Sequence, residues 1–439
     1  MNLVYQLLNS RFILIIIFFF WMFPPSLNIF GIFNFNIYLI SILIPSIFGI
    51  LDYFSENKGS KLINHTFLSM IFGFILVLVY ECIGIIYNIV DYSITKLYIM
   101  GFMSFFSAYF IVKSHRKIYG SDFIYFILRN LFFVGFLHSL LIILTAYFPS
   151  FAELLYQFVN ITDKQQKFSL GDVLVKRYSG LLETGFSALS VTHALLLIAG
   201  IIFYWKHENK SSKVMTLGYL LAFFVMFVSI LLIGRTGLII FLIFLLAFLL
   251  LISLELIHKL TINKKIYNLF FFFSISFIAS IFYFDFSIYE DQINSSFEIF
   301  INYINTGSFS SVSTDQLLKN ELIFPDSIGL IFGTTNFGLG SSRIASDIGF
   351  VYLVNGVGIL GTIFIFSPYY IPVIYAFKLR LANKTLFLFL LFISAILVPL
   401  NFKDLYFFGF GGHFQILSII MFVYHFIYLD KFKENRNES

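Results

Sequence analysis

Long apolar runs fill almost all of this 439-residue chain, and they limit its fold more than any other feature. Hydrophobic residues make up 59% of the chain and charged residues 12%, whereas roughly 25% of an average soluble domain is charged. A helix needs about 20 apolar residues to cross a bilayer core, where every backbone polar group must be satisfied internally. The chain is therefore predicted to be an integral membrane protein built from helices.

The apolar runs predict an all-α fold, a polytopic transmembrane bundle of about 12 spans in which residues 1–439 form a single integral membrane domain. The first run lacks a small-residue cleavage site and is predicted to be an uncleaved span, with Pro24 and Pro25 turning the chain directly into the second. The predicted spans are residues 12–31, 32–51, 66–90, 97–112, 123–148, 186–205, 214–233, 236–257, 266–284, 348–374, 385–402 and 414–430.

The Lys and Arg residues predict the orientation of the spans. Of these 28 residues, 18 lie at the termini and in loops on one side, nine lie on the other side, and Arg129 lies within a span. Because Lys and Arg are enriched in cytoplasmic loops, both termini are predicted to be cytoplasmic. The long loops 149–185 and 285–345 are then external, and residues 297–304 within the second are amphipathic enough for a short interfacial helix.

Several classes of chemistry lack the residues that they need. Cys82 is the only cysteine, which excludes an internal disulfide and a cysteine metal cluster. The eight histidines show no metal-ligand spacing, and the chain has no phosphate-binding Walker loop and no Asp-x-Asp pair. The net charge of +5 reflects the predicted cytoplasmic loops and does not indicate a nucleic-acid partner. We therefore predict no metal, no cofactor and no nucleic acid.

Three arginines lie on the predicted external face, where membrane proteins normally carry little positive charge. Arg177, Arg235 and Arg343 each have glycines nearby and lie at the mouth of an apolar run. Guanidinium groups form bidentate hydrogen bonds with phosphate oxygens. This placement favours an anionic ligand, with phosphate or pyrophosphate first.

The first two arginines lie in compact motifs. In the sequence RYSGLLETG, Arg177, Gly180 and Glu183 could form a phosphate clamp beside a general base, or merely a surface ion pair near a helix end. In the short turn GRTG, Arg235, the glycines and the Thr236 hydroxyl form a donor set suited to an anion. The alternative for this turn is an arginine that reaches to lipid phosphates.

The third arginine lies in a glycine-rich segment that runs into the tenth predicted span. Its glycines could shape the backbone around a ligand or permit close helix packing, and Asp347 could be a base, a ligand contact or a helix N-cap. Lys403 in a short external turn is a further cation, and His413 at the start of the last span is a weaker candidate. Glu81 and Arg129 fall inside predicted spans, where ionisable groups are costly and usually paired or functional.

Four motifs in this order resemble the O-antigen polymerase family of bacterial membrane glycosyltransferases. They are RYSGLLETGFSAL before a span, GRTG after the following span, SDIGFVYLVNGVGILG after the large loop and NFKD before the last helix. The resemblance implies an enzyme of the bacterial plasma membrane, an inverting glycosyltransferase that acts at its outer face. It would transfer a growing glycan from undecaprenyl diphosphate onto the next lipid-linked repeat unit.

The resemblance also implies roles for particular residues and partners. Arginines of the family's external loops bind diphosphate, which carries over to Arg177, Arg235 and Arg343, with Lys403 as an additional cation. We expect the base to be Glu183 or Asp347, with supporting roles for Gly180, Thr236 and His413. The expected partners are undecaprenyl-diphosphate-linked oligosaccharides, membrane lipids and a chain-length regulator protein.

The chain departs from the family pattern at two places, and two other functions remain open. Thr184-Gly185 stands where many relatives have proline after the acidic residue, and Ile348 stands where a small residue is common. An O-antigen ligase shares the architecture but tends to carry a His-Asn sequence where this chain has residues 346–349. A transporter or flippase for lipid-linked oligosaccharide suits twelve spans, but usually places its ionisable residues near the bilayer centre.

Overall fold

The fold is seen in a computed structural model. It describes residues 10–29, 33–55, 61–159, 178, 180–182, 186–207, 213–259, 298, 301–308, 315, 322–338, 344, 346, 348–379, 384–401, 408 and 412–437.

Helices provide nearly all regular structure in these residues, so the predicted all-α class is confirmed. A 3₁₀ turn, Gly120–Asp122, joins α4 to α5. The helices are α1 Arg11–Met22, α2 Ile37–Ser55, α3 Lys61–Ile86, α4 Ser93–Tyr119, α5 Phe123–Tyr147, α6 Pro149–Phe158, α7 Phe186–His207, α8 Lys213–Ile233, α9 Arg235–Lys259, α10 Ser327–Phe332, α11 Gly349–Ile365, α12 Ser367–Leu379, α13 Lys384–Leu400 and α14 His413–Asn437.

Five stretches of helix within the described residues are long and apolar enough to cross a membrane. They are consistent with a membrane protein, whereas the twelve-span topology and the external side of the two long loops stay predictions. Helices overlap eleven of the twelve predicted spans, and the ninth lies outside the described residues. The five stretches are Ile63–Ile86, Ser93–Tyr147, Ser187–Tyr204, Thr216–Ile233 and Gly349–Ile374.

A two-stranded ribbon separates the first two helices, so the predicted direct turn at Pro24 and Pro25 is wrong. Strand β1, Ser26–Ile29, pairs antiparallel with β2, Phe33–Asn36. Helix α1 ends before the prolines because proline has no amide hydrogen, and the residue before a proline favours extended backbone. At 12 residues, α1 is about 18 Å long, less than the roughly 30 Å of a bilayer core.

Helix α7 forms the centre of the first of two compact units, which comprises residues 1–41 and 114–309. It packs against α5, α8 and α9, and 89% of its apolar span is buried, so protein rather than lipid covers it.

Glycines set the spacing between these helices. A Cβ atom on Gly200 would lie 2.2 Å from the Phe132 ring, and one on Gly135 would lie 2.7 Å from Met226. Any larger residue would force the helices apart.

The second unit comprises residues 42–113 and 310–439. Helix α3 packs there against α11, α12 and α14, and α13 packs against α12 and α14.

Glu81 of α3 is 3% exposed, and its carboxylate accepts hydrogen bonds from the backbone amide and the hydroxyl of Thr95, at 3.1 and 2.6 Å. Thr95 lies in the first turn of α4, where backbone amides have no partner within the helix. The buried Glu81 therefore stabilises the N-terminus of α4.

Helix α11 is broken in its middle by a glycine. Gly358 has φ +73° and ψ 176°, a conformation that is essentially restricted to glycine. The interruption leaves carbonyl groups of the preceding turn free to bind another segment. Thr334 donates its amide to the Asn355 carbonyl at 2.6 Å, and Thr335 donates to Gly356 at 3.0 Å. The segment after α10 thus satisfies backbone groups that the break exposes.

The glycines of this segment allow backbone to pack directly on backbone. A Cβ atom on Gly333 would lie 2.4 Å from the Gly356 carbonyl oxygen, and one on Gly358 would lie 2.1 Å from the Ile331 carbonyl oxygen. The sequence predicts that the glycine-rich segment either shapes the backbone around a ligand or permits close packing. The described glycines permit close packing.

We expect Gly358→Ala to destabilise the protein more than Gly307→Ala. Both glycines have φ +73°, but a Cβ atom on Gly307 would meet nothing within 4 Å. Strained backbone costs of order 1–3 kcal/mol, and only Gly358 adds a collision with backbone. Unfolding in detergent micelles titrated with dodecyl sulfate measures both variants. Equal losses of unfolding free energy would contradict the close packing described here.

Candidate functional site

Four of the predicted site residues lie within the described structure and five lie outside it. Gly180, Arg235 and Thr236 belong to the first unit, and His413 belongs to the second. The residues that lie outside the described structure are Arg177, Glu183, Arg343, Asp347 and Lys403. Their predicted roles stay predictions.

Arg235 is the first residue of α9 and lies almost entirely inside the protein. It is 9% exposed and the adjacent Thr236 is 7% exposed. The GRTG turn is held tightly against α7, because Gly237 donates its amide to Ser190 Oγ at 3.0 Å, and a Cβ atom on Gly237 would lie 2.1 Å from the Ser190 carbonyl oxygen. The Gly237 amide therefore serves packing, and the guanidinium is the strongest anion-binding group of the turn.

A carboxylate lies against the Arg235 guanidinium. Arg235 Nη1 donates to Glu298 Oε2 at 2.5 Å, and the Glu298 side chain is 24% exposed. Glu298 is helical, as are residues 301–306, in agreement with the short helix predicted at 297–304. The pair shows that the position in front of Arg235 accepts an oxyanion. The sequence did not reveal Glu298, because 63 residues separate it from Arg235 and no spacing rule connects them.

The RYSGLLETG motif makes a turn that only glycine can form at its centre. Gly180 has φ +60°, and a Cβ atom there would lie 2.9 Å from His138 Nε2 and 3.0 Å from Ile142 Cγ1. The next residue, Leu181, donates its backbone amide to His138 Nε2 at 3.2 Å. Gly180 therefore allows the close approach of this turn to α5, and its supporting role at the site stays a prediction.

The described histidines of the first unit include a buried pair that continues this contact. His138 and His193 are both 0% exposed, and His138 Nδ1 lies 2.9 Å from His193 Nε2. His193 Nδ1 lies 3.0 Å from Ser139 Oγ and 3.1 Å from Ser229 Oγ, and the two hydroxyls are 2.8 Å apart. Phe23 stacks on the His138 ring at 4.0 Å. The network joins α5, α7 and α8.

One set of tautomers satisfies every group of this network. The Leu181 amide can only donate, so His138 Nε2 accepts, and the proton of a neutral ring lies on Nδ1. That proton goes to His193 Nε2, and the His193 Nδ1 proton goes to the serine hydroxyls. Ser139 donates to Ser229, which donates to the Met226 carbonyl at 2.8 Å. The hydrogen bonds thus run in one direction from the motif into the helix core with both rings neutral.

Helix α7 brings the first two motifs to one place. Ser190 binds the GRTG turn, and His193 binds the His138 ring that holds the RYSGLLETG turn. The two residues are three positions apart and therefore neighbours on one helix face. No spacing in the sequence relates His138 to His193, because their contact forms only when α5 packs against α7.

The last two motifs meet in the second unit. Phe350, in the SDIG motif at the start of α11, donates its amide to the carbonyl of Asn401, the first residue of NFKD, at 2.9 Å. Ser346 Oγ accepts the Ile348 amide at 3.0 Å, and Tyr352 donates its hydroxyl to the Ser346 carbonyl. His413 is 0% exposed at the first turn of α14. Its burial fits a packed histidine, and its supporting role stays a prediction.

Comparisons with protein-family models, with curated protein sequences and with solved structures find no match. The fold described here defines an α-helical protein with several helices that could span a membrane. The resemblance to O-antigen polymerases depends on the four motifs and on the pattern of apolar runs.

We expect a coupling free energy of about 1.5–3 kcal/mol between Arg235 and Glu298, the usual range for a hydrogen bond to a charged group. The measurement is a double-mutant cycle of Arg235→Gln and Glu298→Gln on the free energy of unfolding in mixed micelles. Arg235→Gln combined with Glu153→Gln, at an exposed carboxylate of α6 in the same unit, is the control and should be additive within about 0.5 kcal/mol. Additivity in both cycles would contradict the ion pair.

We expect His138→Phe to destabilise the protein by at least about 2 kcal/mol, although the ring still stacks on Phe23, because the substitution leaves the Leu181 amide and His193 Nε2 buried without their partner. Hydrogen exchange at the Leu181 amide should accelerate. His65→Phe, at an exposed position of α3, should change stability by no more than about 0.5 kcal/mol. Unchanged exchange at Leu181 in His138→Phe would show that the histidine does not hold the turn.

Proposed function

We propose that this protein polymerises lipid-linked oligosaccharide repeat units of the O-antigen or capsule type. It would transfer the growing glycan from undecaprenyl diphosphate onto the next lipid-linked repeat unit at the outer face of the bacterial plasma membrane. The main support is the Arg235 guanidinium, buried at a helix start and already in contact with a carboxylate oxygen. A diphosphate oxygen has the same charge and accepts the same hydrogen bonds.

The arrangement of the motifs is a second support. The turn that contains Arg235 binds Ser190 of α7 directly, across 47 residues. The motif that contains Arg177 binds His138 of α5, and this ring contacts His193 on the same face of α7, across 55 residues. Motifs that bind a common ligand need to lie close together in the fold. This convergence is expected of a shared site and is not a consequence of the apolar pattern.

The proposed reaction is a substitution at the anomeric carbon of the donor sugar. The acceptor hydroxyl oxygen forms a bond to that carbon, the bond from the carbon to the diphosphate oxygen breaks, and the configuration inverts. The hydroxyl proton passes to a carboxylate, for which Glu183 and Asp347 are both candidates, and the diphosphate leaves with the bonding electron pair. Arg177, Arg235, Arg343 and Lys403 would stabilise the charge that develops on the leaving group.

Low polarity around Arg235 would make this stabilisation effective. A guanidinium that is 9% exposed is surrounded by protein, where charge interactions are stronger than in water. Before substrate binds, Glu298 supplies the negative charge that such a group requires. The incoming diphosphate would take the place of the Glu298 carboxylate, so the cation would never be left buried alone.

We expect Arg177→Ala, Arg235→Ala and Arg343→Ala each to reduce polymerisation by about 10²–10³-fold, the usual effect of losing a charge-stabilising group. In a strain that lacks the native gene, the polysaccharide ladder should collapse to single repeats. Arg→Lys variants should retain part of the activity, since they keep charge and lose the bidentate geometry. Arg116→Ala, at a cation predicted on the cytoplasmic side, is the control and should leave the ladder unchanged. Normal chain length in all three Arg→Ala variants would refute this site.

Purified protein with synthetic lipid-linked repeats separates the proposed function from its alternatives. A polymerase lengthens the lipid-linked glycan without any other component, whereas a flippase lengthens nothing. In cells, loss of a ligase leaves long chains that remain unattached, and loss of a polymerase leaves single repeats. Lengthening by the purified protein would therefore distinguish polymerisation from both other classes.

A further inference from the structure

A cavity of about 470 Å³ lies in the first unit, between α1, α5 and α8. Its size is within the range of sites that bind small molecules. Phe132, Phe133 and Phe136 of α5 form one wall, and the small residues Gly218 and Ala222 of α8 leave the space opposite them. Gly218 is exposed and a Cβ atom there would meet nothing within 4 Å, so the cavity opens at the surface of the unit.

Arg129 adds a positive charge to this apolar cavity. It precedes Phe132 and Phe133 by three and four residues and therefore lies on the same face of α5. Its guanidinium lies over the Phe126 ring at 4.5 Å and donates a long hydrogen bond of 3.4 Å to Asn130 Oδ1. No carboxylate among the described residues lies within ion-pair distance of it. Among the described residues its contacts are neutral, and a cation with neutral neighbours favours an anionic occupant.

Arg129 lies near enough to one end of α5 for its long side chain to reach lipid headgroups from within the span. Arg129 follows the first residue of α5, Phe123, by six positions, which is about 9 Å along the helix axis. Helix α4 ends beside this region with Arg116 and Lys117 in its last turn. Clustered basic residues at one end of a group of transmembrane helices attract anionic lipid headgroups. The cavity continues from Arg129 past the phenylalanines as an apolar groove. This groove suits an acyl chain.

We propose that this groove binds an anionic phospholipid of the surrounding bilayer, with its phosphate on Arg129 and one acyl chain between the phenylalanines of α5 and the small residues of α8. A free phosphate ion would leave the apolar walls unused, and a zwitterionic lipid would bring its own cation close to the guanidinium. The groove is separate from the proposed diphosphate site. Tyr219, which also lines the groove, precedes the last residue of α8, Ile233, by 14 positions, or about 21 Å along the helix axis, and Arg235 begins the next helix.

The test measures lipid retention on the purified full-length protein by native mass spectrometry, with phosphatidylglycerol and phosphatidylcholine as probes. Wild-type protein should retain phosphatidylglycerol in preference and gain thermal stability from it. Arg129→Gln should weaken phosphatidylglycerol binding about fivefold, the effect of one cation near a membrane surface, and Arg129→Lys should retain most of it. Gly218→Leu should fill the groove and abolish retention without disturbing the packing of the helices.

Two controls show whether a loss of binding comes from the groove. Glu153→Gln removes an exposed charge of α6 in the same unit without touching the cavity, and it should leave retention unchanged within about twofold. Gly218→Ala leaves most of the space open and should bind like wild type. The proposal is overturned if wild type binds both lipids equally, if inorganic phosphate alone stabilises as much as phosphatidylglycerol, or if Arg129→Gln and Gly218→Leu both bind like wild type. Because Gly218 is exposed, its variants report on the groove even if Arg129→Gln does not fold.

Discussion

The hydrogen bond from the Leu181 amide to His138 Nε2 sets the arrangement of the first unit. An amide can only donate, so this contact fixes the tautomer of His138, then that of His193, and finally the direction of the two serine hydroxyls. In a core this apolar, an unsatisfied polar group costs more than it would near water. The network is complete only when α5, α7 and α8 pack with the RYSGLLETG turn in place, and for that reason it links this motif to the helix core.

The second unit meets the same requirement with backbone groups instead of side chains. The break of α11 at Gly358 frees carbonyl groups, and the amides of Thr334 and Thr335 bind them. Such a break is tolerated at membrane depth only where protein covers it. The absence of a Cβ atom at Gly333 and Gly358 makes this contact possible, since the two backbones approach within about the length of a hydrogen bond.

The charged residues of the first unit follow from the same physics. Arg235 is buried and has the Glu298 carboxylate against it, which compensates its charge. Arg129 lies on α5, beside the part of α8 that is far from Arg235. It has aromatic and amide contacts and an apolar groove beside it. The surroundings of Arg235 thus suit the proposed diphosphate, which binds and is released. Those of Arg129 suit the proposed phospholipid, which stays bound. The difference lies in what surrounds each guanidinium, which composition does not reveal.

The sequence by itself determined the helical class, the approximate positions of the helices and the positions of the four motifs, because a lipid solvent imposes long apolar runs and loop residues stand out against them. It also indicated Arg235 as an anion-binding residue and the short helix near Glu298. Only the tertiary structure decided that Glu298 faces Arg235, that His138 meets His193, and that a ribbon follows Pro25. The first two contacts join residues 63 and 55 positions apart, and their formation depends on how helices pack, for which local sequence patterns carry no information.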